Sequence, residues 1–575
     1  MRETNIFKAF QKFRQLLRIE SREITHLYIY ALFSGLLSLV LPIGIQSIIN
    51  FIQTGRTSTS WFVIIFVVVI SIALNGIMQL MQLRITENLQ QKIFVWSSME
   101  MTYRFRYIDH QKLGLQYPPE LANRFFDTLV IQKGLSKVLI DMPTSILQIL
   151  FGVVLLSLYH PFFIAFSFIL ILFLFLILYF TSRNAYTSSL EESKAKYKTA
   201  HWIQEVARAS SSFEVLGKSD FPLRKNDKYA TGYVKARESH FSILWKQFTY
   251  LIVFKIVIAL TLLLIGGLLV INQQMTIGQF IASEIIILLV ISSIEKLILS
   301  LSTMYDVLTS TEKLSEIADY PLKDVVPSTK LADFVPHETG FTLHEVSFVS
   351  PYYDRLVLDK IDCVIDPGSK IAIISNSQLT SETLLKIIQL HYTPTSGQVL
   401  LNGIKAEHYD LTVVKGSIGS FMSSDTIFYG TILDNILLGR KDADSEHLNE
   451  LLKKLRLFDY INSFPKGLDT YLLSGGKFLP PDISAKIILA RGLVGSPSLL
   501  LLDKDWQALY EMDRFTFDDA LHPSNTNLTV LACVTDRTLL DMFETILVIE
   551  DGRLKAFGRR EEVIGKITIE NYCHV

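Results

Sequence analysis

PFFIAFSFILILFLFLILYFT, residues 161–181, runs for twenty-one positions without a charged side chain. A bilayer core of about 30 Å takes roughly 20 apolar residues per helix, so this stretch is read as a membrane crossing. Outward from it, five more stretches of that kind lie at about 26–52, 61–83, 138–158, 248–272 and 278–305. The whole composition agrees: 49% apolar, 19% charged, mean hydropathy +0.33. At 575 residues the chain is long enough for two large units. A net charge of −1 supplies no basic surface, so no nucleic-acid partner is expected. The three cysteines, Cys363, Cys533 and Cys573, are too far apart to suggest a disulfide framework or metal-ligand spacing.

Lys and Arg set the expected topology. Residues 1–24 hold six, 84–137 hold eight and 182–247 hold twelve, whereas the connectors 53–60, 159–160 and 273–277 share only Arg56. Both termini are therefore expected on the cytoplasmic side, with two long basic excursions there and three short outer loops. Segments 114–136 and 194–217 read as helix–turn–helix tips that touch a cytoplasmic domain. Ile6, Phe10, Phe13 and Leu17 recur at helical spacing among basic residues, which predicts an interfacial helix along the membrane surface within 1–24. No cleavable leader is legible there. Lys255 and the Glu295–Lys296 pair lie towards cytoplasmic span ends, where snorkelling is expected. Glu284 lies deeper and is the transport-pathway candidate. Pro42 and Gly44 are expected to permit a kink.

From about residue 330, short β-branched strands alternate with helices, the texture of an α/β domain. Residues 346–372 read VSFVSPYYDRLVLDKIDCVIDPGSKIA and 384–403 read LLKIIQLHYTPTSGQVLLNG. FYGTILDNI (428–436), FPKGLDT (464–470), ILARGLVGSPSLLLLD (488–503) and VIEDGRLKAFG (548–558) follow. In order and spacing these stretches resemble the nucleotide-binding domain of an ABC exporter. LPIGIQSIIN (41–50), PPELANRFFDT (118–128) and AKYKTAHWIQEVARA (195–209) resemble the membrane half of peptide and protein exporters of the type I secretion kind, with no N-terminal peptidase domain expected. The resemblance implies an α-helical six-span transmembrane domain (25–315) behind the N-terminal helix, a linker (316–335) and a P-loop NTPase-like α/β domain (336–575).

The same resemblance supplies the site positions. A P-loop needs glycines, so that backbone N–H groups can curl around phosphate, then Lys for the phosphates and Ser/Thr for Mg²⁺. The family's strand is followed by GPSGSGKST; here Lys370–Ile374 is followed by SNSQLTSET, residues 375–383. The glycine positions are Ser375, Gln378 and Thr380, the Lys position is Ser381, the Mg²⁺-ligand position is Glu382, and only Thr383 matches. A carboxylate about 4 Å from a phosphate charge costs on the order of 4 kcal/mol at an effective dielectric near 20, so Glu382 opposes nucleotide. The run Leu473-Ser-Gly-Gly-Lys477 imitates the family's signature. Counting back from Ala490-Arg491-Gly492, however, places the signature position at Leu479, Pro480, Pro481, Asp482 and Ile483. Asp503 ends the Walker B strand, but Lys504 stands at the catalytic glutamate position, Asp536 at the switch histidine and Ser423 at the glutamine facing the membrane half. Gln507 opens the D-loop, and Ser350 takes the adenine-stacking tyrosine's place, with Tyr352 and Tyr353 beside it.

No ATPase activity and no catalytic residue are therefore expected, and ATP and Mg²⁺ stand as cofactors by family resemblance only. Glu382, Asp503, Lys504 and Asp536 are expected to gather around the vacated phosphate pocket, with Lys504 partly replacing the missing cation. The partners implied are the lipid bilayer of a bacterial inner membrane and a second copy of the chain. A periplasmic membrane-fusion adaptor is implied if the chain works as an ATP-independent channel or scaffold. An active ABC paralogue is implied if it is instead the degenerate half of a heterodimer.

Overall fold

The computed structural model describes residues 6–18, 20–53, 59–113, 116–215, 217, 219–323, 335, 340–352, 354–440, 444–513 and 528–565, apart from the side chains of 110 and 180–184. Arg56, Tyr353, Cys573 and nearly all of the expected linker beyond 323 lie outside the described residues. The chain divides into two compact units, Met1–Arg106 with Gln116–Pro321, and Tyr107–Leu115 with Leu322–Val575.

The first unit is helical. Its long helices are α1 (Ile6–Arg18), α2 (Ser21–Leu37), α3 (Val40–Gln53), α4 (Thr59–Tyr107), α5 (Asp127–Ser136), α6 (Met142–Ser157), α7 (Pro161–Arg208), α8 (Phe221–Thr261) and α9 (Ile277–Ala318). Among the described residues, six helical segments are long and apolar enough to cross a membrane: Ser21–Gln53, Thr59–Tyr107, Pro118–Ser157, Pro161–Tyr179, Phe221–Ile271 and Ile277–Ala318. The chain is a multi-pass membrane protein. A bilayer cannot satisfy backbone N–H and C=O groups, which is why each crossing is helical. The 49 residues of α4 span about 70 Å, so the helix continues far beyond the hydrocarbon core.

The first crossing breaks at Ser38–Leu39, just before Pro42, whose ring cannot continue the hydrogen-bond ladder. Gly44 acts by close approach, because a Cβ there would come within 2.2 Å of Val68 Cγ2 on α4. Lys255 and Glu295 do not snorkel separately but pair at 3.1 Å between α8 and α9, each neutralising the other's charge. Helix α1 is docked by one face on its own unit. Ala9 and Phe13, four residues apart, are buried in the cluster of Leu89, Met101 and Ile317, while Phe10 stays exposed. Intramolecular packing therefore holds this helix, in addition to any contact with lipid.

The second unit is an α/β domain. Its strands are β1 (Phe341–Ser350), β2 (Arg355–Ile365), β3 (Lys370–Ser375), β4 (Ser396–Leu401), β5 (Ile404–Lys405), β6 (Ile418–Phe421), β7 (Gly430–Thr431), β8 (Tyr471–Leu472), β9 (Leu499–Leu502), β10 (Thr529–Cys533), β11 (Thr545–Glu550) and β12 (Arg553–Arg559). One sheet has the order β12-β11-β3-β10-β9-β6, parallel from β11 to β6. Buried on both faces, its strands read as unbroken apolar runs such as Leu499–Leu502. The second sheet, β2-β1-β4-β5, is antiparallel. At its PTSG turn Gly397 holds φ +78, and a Cβ there would lie 2.2 Å from Glu345 O.

Residues Tyr107–Leu115 belong to this second unit. Ile108 bridges Leu322, the Lys323 N–H donates to Tyr107 O at 2.8 Å, and the Gln111 amide exchanges bonds of 3.3 and 3.1 Å with the Thr393 backbone. The first excursion therefore turns at 108–113, earlier than the expected 114–136.

In the first unit, α5 and α9 meet through Gly134, where an added Cβ would lie 2.3 Å from Val307 Cγ2 and 3.0 Å from Thr303 Cγ2. Val307 is β-branched and held in one χ1 rotamer, and Thr303 is held by its hydroxyl bond to Leu299 O at 3.1 Å. Gly134→Ala is expected to destabilise the unit by about 1–3 kcal/mol, read as a lower Tm of the purified protein, with Val307→Ala recovering most of the loss. An unchanged Tm in the single variant would show that the two helices are not so closely packed.

Candidate functional site

Parallel strands β3, β10 and β9 are neighbours, and β6 flanks β9, so the loops after them open at one carboxyl edge of the sheet. That topology brings together Ser375–Thr383, Asp503–Lys504, Val534–Asp536 and Ser423.

The chain leaves β3 at Ser375 and is helical again from Gln378, in α10 (Gln378–Ile388). None of residues 375–383 has positive φ. A cradle of convergent N–H groups needs right- and left-handed residues in alternation, and that pattern is missing here. The amides turn inward instead: Ser377 N–H donates to Ser375 Oγ at 3.2 Å, and the N–H groups of Thr380 and Ser381 donate to Ser377 O at 3.1 and 3.3 Å. Thr380, Ser381 and Thr383 are buried. The Ser381 hydroxyl donates back to Gln378 O at 3.0 Å.

Lys504 points at this helix. Its ammonium donates to Gln378 Oε1 at 2.5 Å, and Gln378 Nε2 donates to Glu382 Oε1 at 2.5 Å. Glu382 is also 3.8 Å from Lys386. Lys504 and Glu382 thus meet through the Gln378 amide, which lies between them. Asp503 and Asp536 take their hydrogen bonds elsewhere. Fully buried Asp503 accepts from the backbone N–H of Ser423 and, at 3.0 Å, of Asp505. Asp536 accepts both the N–H and the hydroxyl of Thr538 at 2.8 Å, capping the turn Arg537–Met542. A carboxylate at a turn start is stabilised by local N–H donors, which explains why Asp536 faces its own loop. Of the four, Glu382 and Lys504 are joined through Gln378, Asp503 acts with both of them on the neighbouring Asp505 carboxyl, and Asp536 turns to its own loop.

Three further residues close the site, and the motif comparison did not single them out. Asp505 lies beside Asp503, and burial first, then that neighbouring charge, raises its carboxyl above the usual range. Trp506 is fully buried, donates Nε1–H to Cys533 O at 2.8 Å and meets Phe543 edge-on. Tyr392 stacks on Phe348 at 5.2 Å, beneath Lys386. Burial, with Tyr352 and Glu382 nearby, pushes the Tyr392 hydroxyl up to about 12. The only advance signal was a large aromatic residue just after the Walker B strand. Gln507, already noted at the D-loop, braces two loops: its Oε1 accepts the N–H groups of Thr535 and Asp536 at 3.1 and 3.2 Å, and its Nε2 donates to Lys504 O and Cys533 O, both at 3.3 Å. In the adenine region, Ser350 is buried and its hydroxyl accepts from the Tyr352 N–H at 3.3 Å.

The helix α11 (Pro481–Leu493) begins at the position found by counting back, with Pro480 as its cap residue and Ile483 buried. Neither proline has an N–H to offer an anion, and Asp482 adds negative charge. The run 473–477 forms a separate turn before the helix, with Gly475 and Gly476 at φ 75 and 66 and the Gly475 N–H bonded to Ile427 O at 2.7 Å. Among the described residues no group of three or more His, Cys, Asp or Glu could hold a metal ion. Set against Mg–ATP, the site offers no amide cradle and places a carboxylate in the P-loop. In the first unit, Glu284 is half-buried in α9.

Residues 358–505 match the family model described as ABC transporter. The chain superposes on "Structure of a bacterial Atm1-family ABC exporter with ATP bound" with a TM-score of 0.79 over 95% of this chain and 97% of that one, at 18% identity. It has the fold of an ABC exporter half-transporter. Sequence relatives include an ATP-dependent lipid A-core flippase of Paraburkholderia xenovorans, 24% identical over 53% of this chain and 51% of that protein. The Type I secretion system ATP-binding protein PrsD of Rhizobium meliloti is 26% identical over 55% of this chain and 54% of that protein. The ABC-type transporter fsqE of Aspergillus fumigatus is 28% identical over 38% of this chain and 17% of that protein. The chain thus spans about half, or less, of the curated relatives it matches.

Burial raises the thiols of Cys363 and Cys533, each to about 12. Both are therefore protonated at pH 8, and the thiolate is the reactive form. Iodoacetamide at pH 8 is expected to leave both unmodified in the folded protein and to label both after denaturation, as read by peptide mass spectrometry. Rapid labelling of Cys533 in the folded protein would mean that the Trp506–Gln507 brace opens.

Proposed function

We propose that this ABC exporter half works as a homodimer that neither binds nor hydrolyses ATP. It would serve as a channel, a scaffold or the anchor for a periplasmic membrane-fusion adaptor in a secretion or efflux system. One membrane unit with one nucleotide-type unit is half of a two-fold assembly, and a symmetric pair is its simplest completion. The inner membrane, with both termini cytoplasmic, is its proposed location.

One observation carries the proposal: the passage from β3 to α10 has no left-handed residue, and Lys504, from the loop after β9, is joined to the first turn of α10 as Lys504–Gln378–Glu382. Phosphoryl transfer depends on positioning and charge stabilisation. Here the groups that would position phosphate are engaged elsewhere, and the site's ammonium is held by a neutral amide. The likeness to a type I secretion protein supports secretion as the setting. In the second reading, an active ABC paralogue completes the dimer and this chain is its degenerate subunit.

Calorimetry of the purified full-length protein with Mg–ATP to millimolar concentration, with its subunits identified in the same sample, tests the proposal. No heat from a dimer of this chain alone is the expected result. Binding at one site per dimer, with a second ABC subunit present, would replace the proposal with the heterodimer.

A further inference from the structure

At the α-helical pitch, helix α1 presents three distinct faces. Ala9 and Phe13 are buried against the first unit, with Leu16 and Leu17 partly buried beside them. Lys8, Lys12 and Gln15 share a second, polar face. Phe7, Phe10, Arg14 and Arg18 fall on the third, within an arc of about 80°. That face is open: Phe7 is 63% exposed, Phe10 47%, and both arginines are exposed. Phenyl rings are poorly solvated by water and guanidiniums by hydrocarbon, so a face carrying both suits the boundary layer between the two.

Its place in the chain agrees. Two residues separate α1 from the first crossing segment, Ser21–Gln53. Two residues reach at most about 7 Å, so the end of α1 stays at the membrane surface. The charge there is one-sided. Lys12 pairs with Asp319 and Glu20 with Lys92, both at 2.8 Å. Lys8, Arg14, Arg18 and Arg22 then stand against Glu23 alone, and none of those four cations has an ion-pair partner among the described residues. Arg22 is exposed in the first turn of α2.

We propose that this face of α1, together with Arg22, is a docking surface for anionic phospholipid. The rings lie at the acyl boundary, and the guanidiniums reach the headgroup phosphates, whose geometry a planar fork of donors matches. A zwitterionic headgroup offers the same phosphate but brings its own cation, which the surplus of arginine charge disfavours. A headgroup of net negative charge is therefore selected. The buried face of the same helix holds the end of α9 through Phe13, Ile317 and the Lys12–Asp319 pair, so headgroup charge bears on the last crossing helix. The inference stands whether or not the second unit binds ATP, and whichever side of the membrane the termini face.

Full-length protein carrying Phe10→Trp is placed in nanodiscs of phosphatidylcholine with a minority of phosphatidylglycerol, the same on both faces. One lipid or the other, at equal mole fraction, carries bromine near the carbonyl end of its acyl chains, where it quenches an indole on contact. The signal of the protein without the substitution is subtracted. Brominated phosphatidylglycerol is expected to quench the added indole roughly two- to fivefold more than brominated phosphatidylcholine. The excess is expected to fall towards parity in about 1 M salt, where charges act over only about 3 Å. Arg14→Gln/Arg18→Gln/Arg22→Gln is expected to remove the excess and to leave the quenching by phosphatidylcholine. The salt series needs no arginine variant, so the conclusion stands even if that variant misfolds. Equal quenching by the two lipids at low salt would reduce the face to an apolar contact without headgroup choice. Quenching by neither would mean that protein, such as a second copy of the chain, covers it. Either result overturns the proposal, as does an excess that salt and the arginine variant leave unchanged.

Discussion

Between Ser375 and Gln378 the backbone has to turn from a parallel strand into a helix, and the residues there decide what the turn can hold. Glycine reaches left-handed φ at no steric cost, whereas serine, glutamine and threonine do so only under strain. With those three side chains at the glycine positions, the passage takes ordinary φ values and α10 starts at once. Its first N–H groups then bond to Ser377 O. The rest of the site follows from that early start. Gln378 becomes the first residue of a helix, one turn from Glu382, and so stands where Lys504 can reach it.

The loops around this passage are fixed by the same means that stabilise any domain core. Trp506 fills the space between β10 and Phe543, and Gln507 satisfies backbone groups of two loops with one amide. Deleting a buried Trp side chain costs about 3–5 kcal/mol. Both residues are thus packed as structural members of the domain. The strands behind them are paired in register and buried.

Much of the fold was legible in the sequence because a bilayer imposes a coarse rule: about 20 apolar residues per crossing. The strand-helix alternation after residue 330 was legible for a similar reason, since buried parallel strands are continuous apolar runs. Side-chain direction was not legible. Asp536 and Lys504 look alike as replaced motif positions, yet one caps its own turn and the other crosses to α10. The difference arises from which donors lie within reach, and that is set by the fold. Pairings between distant segments were hidden for the same reason: Lys255 with Glu295, and Gln111 with Thr393. The spacing argument did locate the start of α11, because a count from Ala490-Arg491-Gly492 along one helix needs no tertiary information.

Within the first unit, two kinds of seam lie below the crossings. Helices α5 and α9 meet through Ile131, Leu135, Val307 and Leu308, with Gly134 allowing close approach. Helix α7 packs on the same pair through Ala185, Tyr186 and Leu190 and adds polar contacts: Ser189 to Asp306 at 3.0 Å, Lys196 and Tyr197 to Asp127 at 3.1 and 2.5 Å, and the Tyr186 hydroxyl to Glu312. Parting the apolar seam exposes surface at about 25 cal/mol per Å². Parting the polar seam exchanges protein hydrogen bonds for water at a net cost of about 1 kcal/mol each. Asp127 is the exception, because it is 1% exposed and removing its partners without letting water in would strand a buried charge. The polar contacts of α7 therefore part at that cost only where water follows the helix inward.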